Sequence, residues 1–236
     1  VTRARTLWVG IAAVALALSA CGGEDDDDAG GGGGGGGGGP PPTSVTVSGT
    51  ATFDFVPATS QGLNYQGTQP RPIRGATVEI ISGSTVLATT KTDANGAYSV
   101  SVAPNASAFI RVKAELAQSG APGFDFRVVD NTNANALYAL DGPTFNTGTA
   151  ASTQNVRAAS GWGGSSYTSP RSAAPFAILD TIYTAVQAVL GADATAVFPA
   201  LRVHWSTANQ PVTAANGAVN PATGEIGTSF FSPSLG

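Results

Sequence analysis

The chain offers one thiol and one imidazole for nucleophilic or metal chemistry, Cys21 and His204. Cys21 closes the tetrapeptide Leu18-Ser19-Ala20-Cys21. That tetrapeptide ends an apolar run from Leu7 to Leu18, which follows the basic segment Thr2-Arg3-Ala4-Arg5. A basic segment, a short apolar run and small residues at its end form the pattern of an export signal, and the run is too short for a comfortable membrane span. With one cysteine, no intrachain disulfide can form. His204 alternates with Leu201, Val203 and Trp205 and is expected on the opposite face of a strand. One histidine without cysteines builds no structural zinc site, and the chain has neither H-E-x-x-H nor G-x-S-x-G. Asp93 and Asn95, in Thr92-Asp93-Ala94-Asn95-Gly96, have the oxygen atoms of a calcium loop. No acidic residue follows nearby to complete a cage, so the spacing favours an Asx-type turn. The residues therefore predict no catalytic group, no metal site and no cofactor.

Leu18-Ser19-Ala20-Cys21 resembles the lipobox of bacterial lipoproteins. The resemblance implies that Cys21 receives a diacylglycerol, that residues 1–20 are removed as a signal peptide, and that the new amino terminus is acylated. The partner it implies is a membrane. Each buried acyl methylene contributes about 0.8 kcal/mol, and stable anchoring needs two or more lipid chains. Residues 21–44 then form a tether: Gly22-Gly23, the acidic run Glu24 to Asp28, the glycines Gly30 to Gly39, and Pro40-Pro41-Pro42. Such a segment cannot bury enough apolar surface to offset the entropy of ordering. As a flexible coil, Gly22 to Ser44 spans roughly 25 Å. The acidic run is a solvated block that repels anionic headgroups. Gly22 stands where some lipoproteins carry an aspartate that retains them in the inner membrane. The resemblance therefore favours the outer membrane within the bacterial cell envelope.

Setting aside Arg3, Arg5 and the five acids of the tether leaves 9 basic and 10 acidic residues. A near-neutral surface does not suit nucleic acid, which needs clustered Lys and Arg. From Val45 onward, short alternating segments are broken by turn residues. Val45 to Phe55 reads as a first strand with Gly49 at a bulge, and Pro57 to Pro72 as a loop. Ala76 to Ile81, Thr85 to Thr92, Ala97 to Val102 and Ala108 to Glu115 read as four more strands. Asn95-Gly96 supplies a tight turn. Phe53, Phe55, Val78, Ile80, Val100 and Val112 are the expected core.

Gly49, Pro72-Ile73-Arg74-Gly75-Ala76-Thr77-Val78 and Thr92-Asp93-Ala94-Asn95-Gly96-Ala97-Tyr98-Ser99-Val100 together resemble the carboxypeptidase regulatory-like domain. That family has a transthyretin-like, or prealbumin-like, sandwich. The resemblance covers about residues 45–116 and implies that Tyr98 is a core or corner residue. Relatives of this architecture space domains, support neighbouring enzymes or bind glycans.

Residues 117–236 read as an α+β region. Phe124 to Val129 and Ala136 to Leu140 are two expected strands, and Gly142 to Ser169 a long irregular loop around Trp162. Ala174 to Leu190 is the expected helix, with Phe176, Leu179, Ile182, Tyr183, Val186 and Leu190 on one face, Asp180 toward solvent and Gly191 as its stop. Its length and flanks argue against a membrane span. Leu201 to Ser206 and Glu225 to Phe231 are two further strands. Ala174 to Asp180, Phe198 to Ser206 and Gly224 to Phe230 resemble the stretch before the catalytic helix of exported zinc-metallopeptidase-like proteins. The resemblance implies a fragment of a longer protein, and an in-frame H-E-x-x-H in the downstream DNA is its test. The apolar faces of this region are then expected to lack a partner, so proteolysis would leave a fragment from near Val45 to between Leu116 and Asp141.

The fold class predicted is mainly β: a small antiparallel β-sandwich, then an α+β region with one helix, behind a disordered tether. Three functions fit the sequence. One is a lipid-anchored module acting as spacer or binding unit; another is the fragment of a metallopeptidase-like protein. The third is a glycan-binding surface built on Tyr65, Tyr98, Trp162 and Trp205, because sugars stack on exposed rings.

Overall fold

The computed structural model describes residues 42–212, 219–229 and 231–232. Leu18, Ser19, Ala20, Cys21 and nearly all of the tether lie outside the described residues. The described chain is mainly β. Val45–Phe55 forms β1, and its odd positions Val45, Val47, Ala51 and Phe53 are buried, as the two-residue period of a strand requires. Ala58–Thr59 (β2) and Gly62–Leu63 (β3) make a minimal hairpin, followed by Gln69–Pro72 (β4). Then come Thr77–Ser82 (β5), Thr85–Lys91 (β6), Ala97–Val102 (β7), Ser107–Lys113 (β8) and Glu115–Gln118 (β9). Phe124–Asp130 (β10), Ala136–Leu137 (β11), Ala139–Asp141 (β12), Phe145–Asn146 (β13), Ser152–Thr153 (β14) and Val156–Ala158 (β15) precede the helix. Helix α1 spans Ala173–Ala192, and Leu201–His204 (β16), Gln210–Pro211 (β17) and Glu225–Ile226 (β18) follow it.

β1 is the axis of the first sheet. Along one edge run two antiparallel strands end to end, β7 on Val45 to Thr50 and β4 on Thr52 to Phe55. Ala51 is the handover: its N–H donates to Gly96 O at 2.8 Å and its carbonyl accepts from Ile73 N at 2.9 Å. Along the other edge, β14 and β15 run parallel to β1. The second sheet is antiparallel, in the order β12–β8–β5–β6, with β13 also on β8. In the third, β10 pairs antiparallel with β9 and β11, and parallel with β16. Ala114 carries the chain from the second sheet to the third. Its N–H donates to Tyr138 O and its carbonyl accepts from Val128 N. The inward faces of these sheets and of α1 share one core, which includes Val47, Phe53, Val78, Ile110, Val112, Val128, Phe176 and Leu179.

Several expectations need correcting. Gly49 is no bulge, because it pairs with Tyr98 inside an unbroken register. The register shift lies in β5, between Ile80 and Ile81. Gly49 is needed for a different reason: a Cβ there would stand 1.9 Å from the carbonyl oxygen of Gln154, which crosses β1 between β14 and β15. The expected loop 57–72 contains β2, β3 and β4, and the expected loop 142–169 contains β13, β14 and β15. The expected boundary at 116/117 falls inside one unit, since strands from both sides of it pair in the same sheets. The apolar faces of the later region find their partner in the sandwich.

Helix α1 shows how. It is long and apolar enough to cross a membrane by length and composition alone, and one face of it packs into the core through Phe176, Leu179 and Val186. Ala173, Pro175, Phe176, Leu179 and Val186 are its buried residues. Asp180 does not face solvent freely. Its side chain is 13% exposed and is held by Arg74, whose Nη2 lies 2.5 Å from Oδ1 and whose Nε donates to the same oxygen at 2.6 Å. Arg74 Nη2 also donates to Thr184 Oγ1 at 2.9 Å, and its guanidinium lies 4.4 Å from the Tyr183 ring centroid. Next to it, Gly75 has φ +67°, and a Cβ there would press on Tyr183 and Leu116 at 3.1–3.2 Å. Gly191 does not stop the helix, which runs through it to Ala192 and ends on the extended Asp193.

Candidate functional site

Thr92 is buried and forms a two-way bridge to Ala76: its N–H donates to Ala76 O, and its Oγ1 accepts from Ala76 N, both at 2.9 Å. Asp93 Oδ1 accepts from Asn95 N and Ala97 N, both at 2.8 Å. These are the bonds of an Asx-type turn. Gly96 N donates to Asp93 O, and Asn95 is exposed. Tyr98 is buried, and its hydroxyl donates to the Gln154 carbonyl, the same group that crosses Gly49. Burial pushes the Tyr98 phenol up to about 12. Thr92, Asp93, Gly96 and Tyr98 thus join strands to one another.

The Tyr98 bond gives a test. Tyr98→Phe leaves the Gln154 carbonyl without its donor and is expected to cost about 1–3 kcal/mol in urea unfolding. A raised folded-state pKa favours the protonated phenol, so its stabilisation is complete below pH 10 and is lost as pH rises toward 12. The alkaline fall in stability over that window should be shallower in Tyr98→Phe. A variant as stable as the parent would remove the structural role.

The other residues gather elsewhere. His204 is exposed, with Nδ1 3.1 Å from Asn135 Oδ1. A groove of about 500 Å³ is lined by Lys91, Gln118, Phe124, Asp125 and Arg127. Its charges are engaged: Arg127 Nε lies 2.7 Å from Asp125, and Lys91 Nζ donates to Ala117 O. Among the described residues no group of three or more His, Cys, Asp or Glu stands together.

Aromatic residues make the most distinctive surface. Tyr65 sits on a single turn of 3₁₀ helix, Tyr65–Gly67, started by Asn64, whose side chain accepts from Gly67 N. Trp162 and Tyr167 face each other across an antiparallel bridge closed by Gly163 N to Ser166 O at 2.8 Å. Tyr65 stacks on Trp162 with centroids 3.7 Å apart and planes 10° apart. Tyr167 stands edge-on to both, and its hydroxyl lies 2.8 Å from that of Tyr65. That hydrogen bond, with burial second, raises the Tyr65 pKa. Arg171 covers Tyr167 at 4.3 Å and reaches the Trp205 ring at 5.5 Å.

Of the four aromatics singled out in the sequence, Tyr65 and Trp162 meet, Trp205 lies beyond Arg171, and Tyr98 belongs to the core. Tyr167 and Arg171 are the members that sequence reasoning missed. The signal for Tyr167 was its placement opposite Trp162 across Gly163-Gly164-Ser165-Ser166, a cross-strand aromatic pair around a small-residue turn. Comparison with protein-family models and with curated proteins finds no match for this chain.

Proposed function

We propose that the chain is an exported lipoprotein, anchored in the cell envelope through Cys21, that displays a non-catalytic carboxypeptidase-regulatory-like sandwich as a spacer or binding module. The observation that carries the reading is Leu18-Ser19-Ala20-Cys21 at the end of an apolar run, followed by an acidic, glycine-rich and proline-rich stretch. The reading assigns no catalytic residue. Supporting it, ion pairs such as Arg74–Asp180, Lys113–Glu79 and Arg157–Asp54 commit several charges of the described residues to structure. Metabolic labelling with an alkyne palmitate tests the anchor. The parent chain should label and partition into membranes, and Cys21→Ala should do neither. Equal labelling of the two would sink the proposal.

A further inference from the structure

We propose that Tyr65, Trp162 and Tyr167 form a binding site for neutral saccharides. The inference rests on the displayed-module reading and gives that module a ligand class. The three rings are absent from the hydrophobic core and from the residues packed against it, unlike Tyr138 and Trp205. Large aromatics are worth most where they bury area in a core or an interface, and these three serve no core. Tyr167 is 37% exposed, and Leu63, two residues before Tyr65, is 49% exposed.

The chemistry around the rings selects the ligand. Residues 57–68 and 159–170, which supply all three, contain no charged side chain. They are rich in Ser, Thr, Gln, Asn and Gly, and Gln66, Ser165 and Ser166 are exposed. Arg171 lies at the margin, on Tyr167. A pyranose presents apolar C–H faces and a rim of uncharged hydroxyls. Its complement is an aromatic face bordered by neutral donors and acceptors. In the stacked pair, Tyr65 and Trp162 each give one face to the other. Among the described residues, the one further ring in contact with the pair is Tyr167, nearly perpendicular to both, and no guanidinium lies over either. Nucleotides and acidic glycans need more positive charge than these loops hold.

The test uses the full chain in a detergent without a sugar headgroup. Linear hexaoses of α-1,4-glucose, β-1,4-glucose, β-1,4-xylose and β-1,4-N-acetylglucosamine are titrated by calorimetry and tryptophan emission. At least one should bind. Trp162→Ala and Tyr167→Ala should each weaken it by about tenfold or more, and Trp205→Phe by less than about twofold. Tyr167→Phe, which keeps the ring and loses only the hydroxyl contact to Tyr65, guards against misfolding: it should bind like the parent to within about twofold. Failure of every hexaose to bind the folded parent, or binding unchanged in both alanine variants, would overturn the proposal. Lipid labelling at Cys21 is read separately, so a failed titration leaves the anchor reading standing and a failed labelling leaves the site standing.

Discussion

Phe176→Ala should destabilise the whole described fold by about 3–5 kcal/mol, the usual cost of emptying a large aromatic site. Phe176 is 2% exposed on α1 and belongs to the same core as Val47 and Phe53 of β1. The loss should therefore reach strands far from it in sequence. Urea unfolding followed by far-UV circular dichroism and by tryptophan emission should give one coincident transition, shifted equally for both probes. Limited proteolysis of the parent should leave one piece from near Val45 through α1. A resistant fragment ending between Leu116 and Asp141, with the stability of the parent, would show the first strands to be independent and refute this account.

Gly49→Ala has the second large expected effect, about 3 kcal/mol, at the upper end of overpacking. The new methyl would sit 1.9 Å from Gln154 O and 2.9 Å from the Tyr98 hydroxyl. Both are fixed: Gln154 N donates to Ser48 O at 2.7 Å, and Tyr98 is buried. Relief requires β14 and β15 to move off β1. Amide hydrogen exchange should then show protection lost at residues 152–158 before the rest of β1. An unchanged unfolding midpoint would mean that this crossing is soft. Ser99→Ala, on the exposed side of β7, is the matched control and should change stability by less than about 0.5 kcal/mol.

These two sites show what the sequence made legible. Apart from Gly49, β1 and β7 were readable as strands because each alternates more and less buried positions between clear turn signals. The Asp93 turn was readable because its chemistry is local. β14 and β15 were not. Ser152-Thr153 and Val156-Arg157-Ala158 carry too little apolar pattern, and the exposed edge of β1 specifies them, not their own residues. β4 hid behind Pro70 and Pro72, which argue against a strand except at an edge, where β4 lies. The aromatic cluster was half legible. The sequence marks Tyr65 and Trp162 as candidate rings, but only tertiary structure brings residues 102 apart, Tyr65 and Tyr167, within hydrogen-bonding distance.

The crossing at Gly49 also governs the order in which the molecule can assemble. Thr50 is held by Asn155, 105 residues later, through both its N–H and its hydroxyl. At about 5–20 residues per second, a ribosome needs roughly 5–20 s to supply that length. Through that interval the first strand lacks the neighbours on one of its edges. Long-range parallel pairing of this kind slows folding. A chain that closes late stays threadable longer, as the proposed export would require.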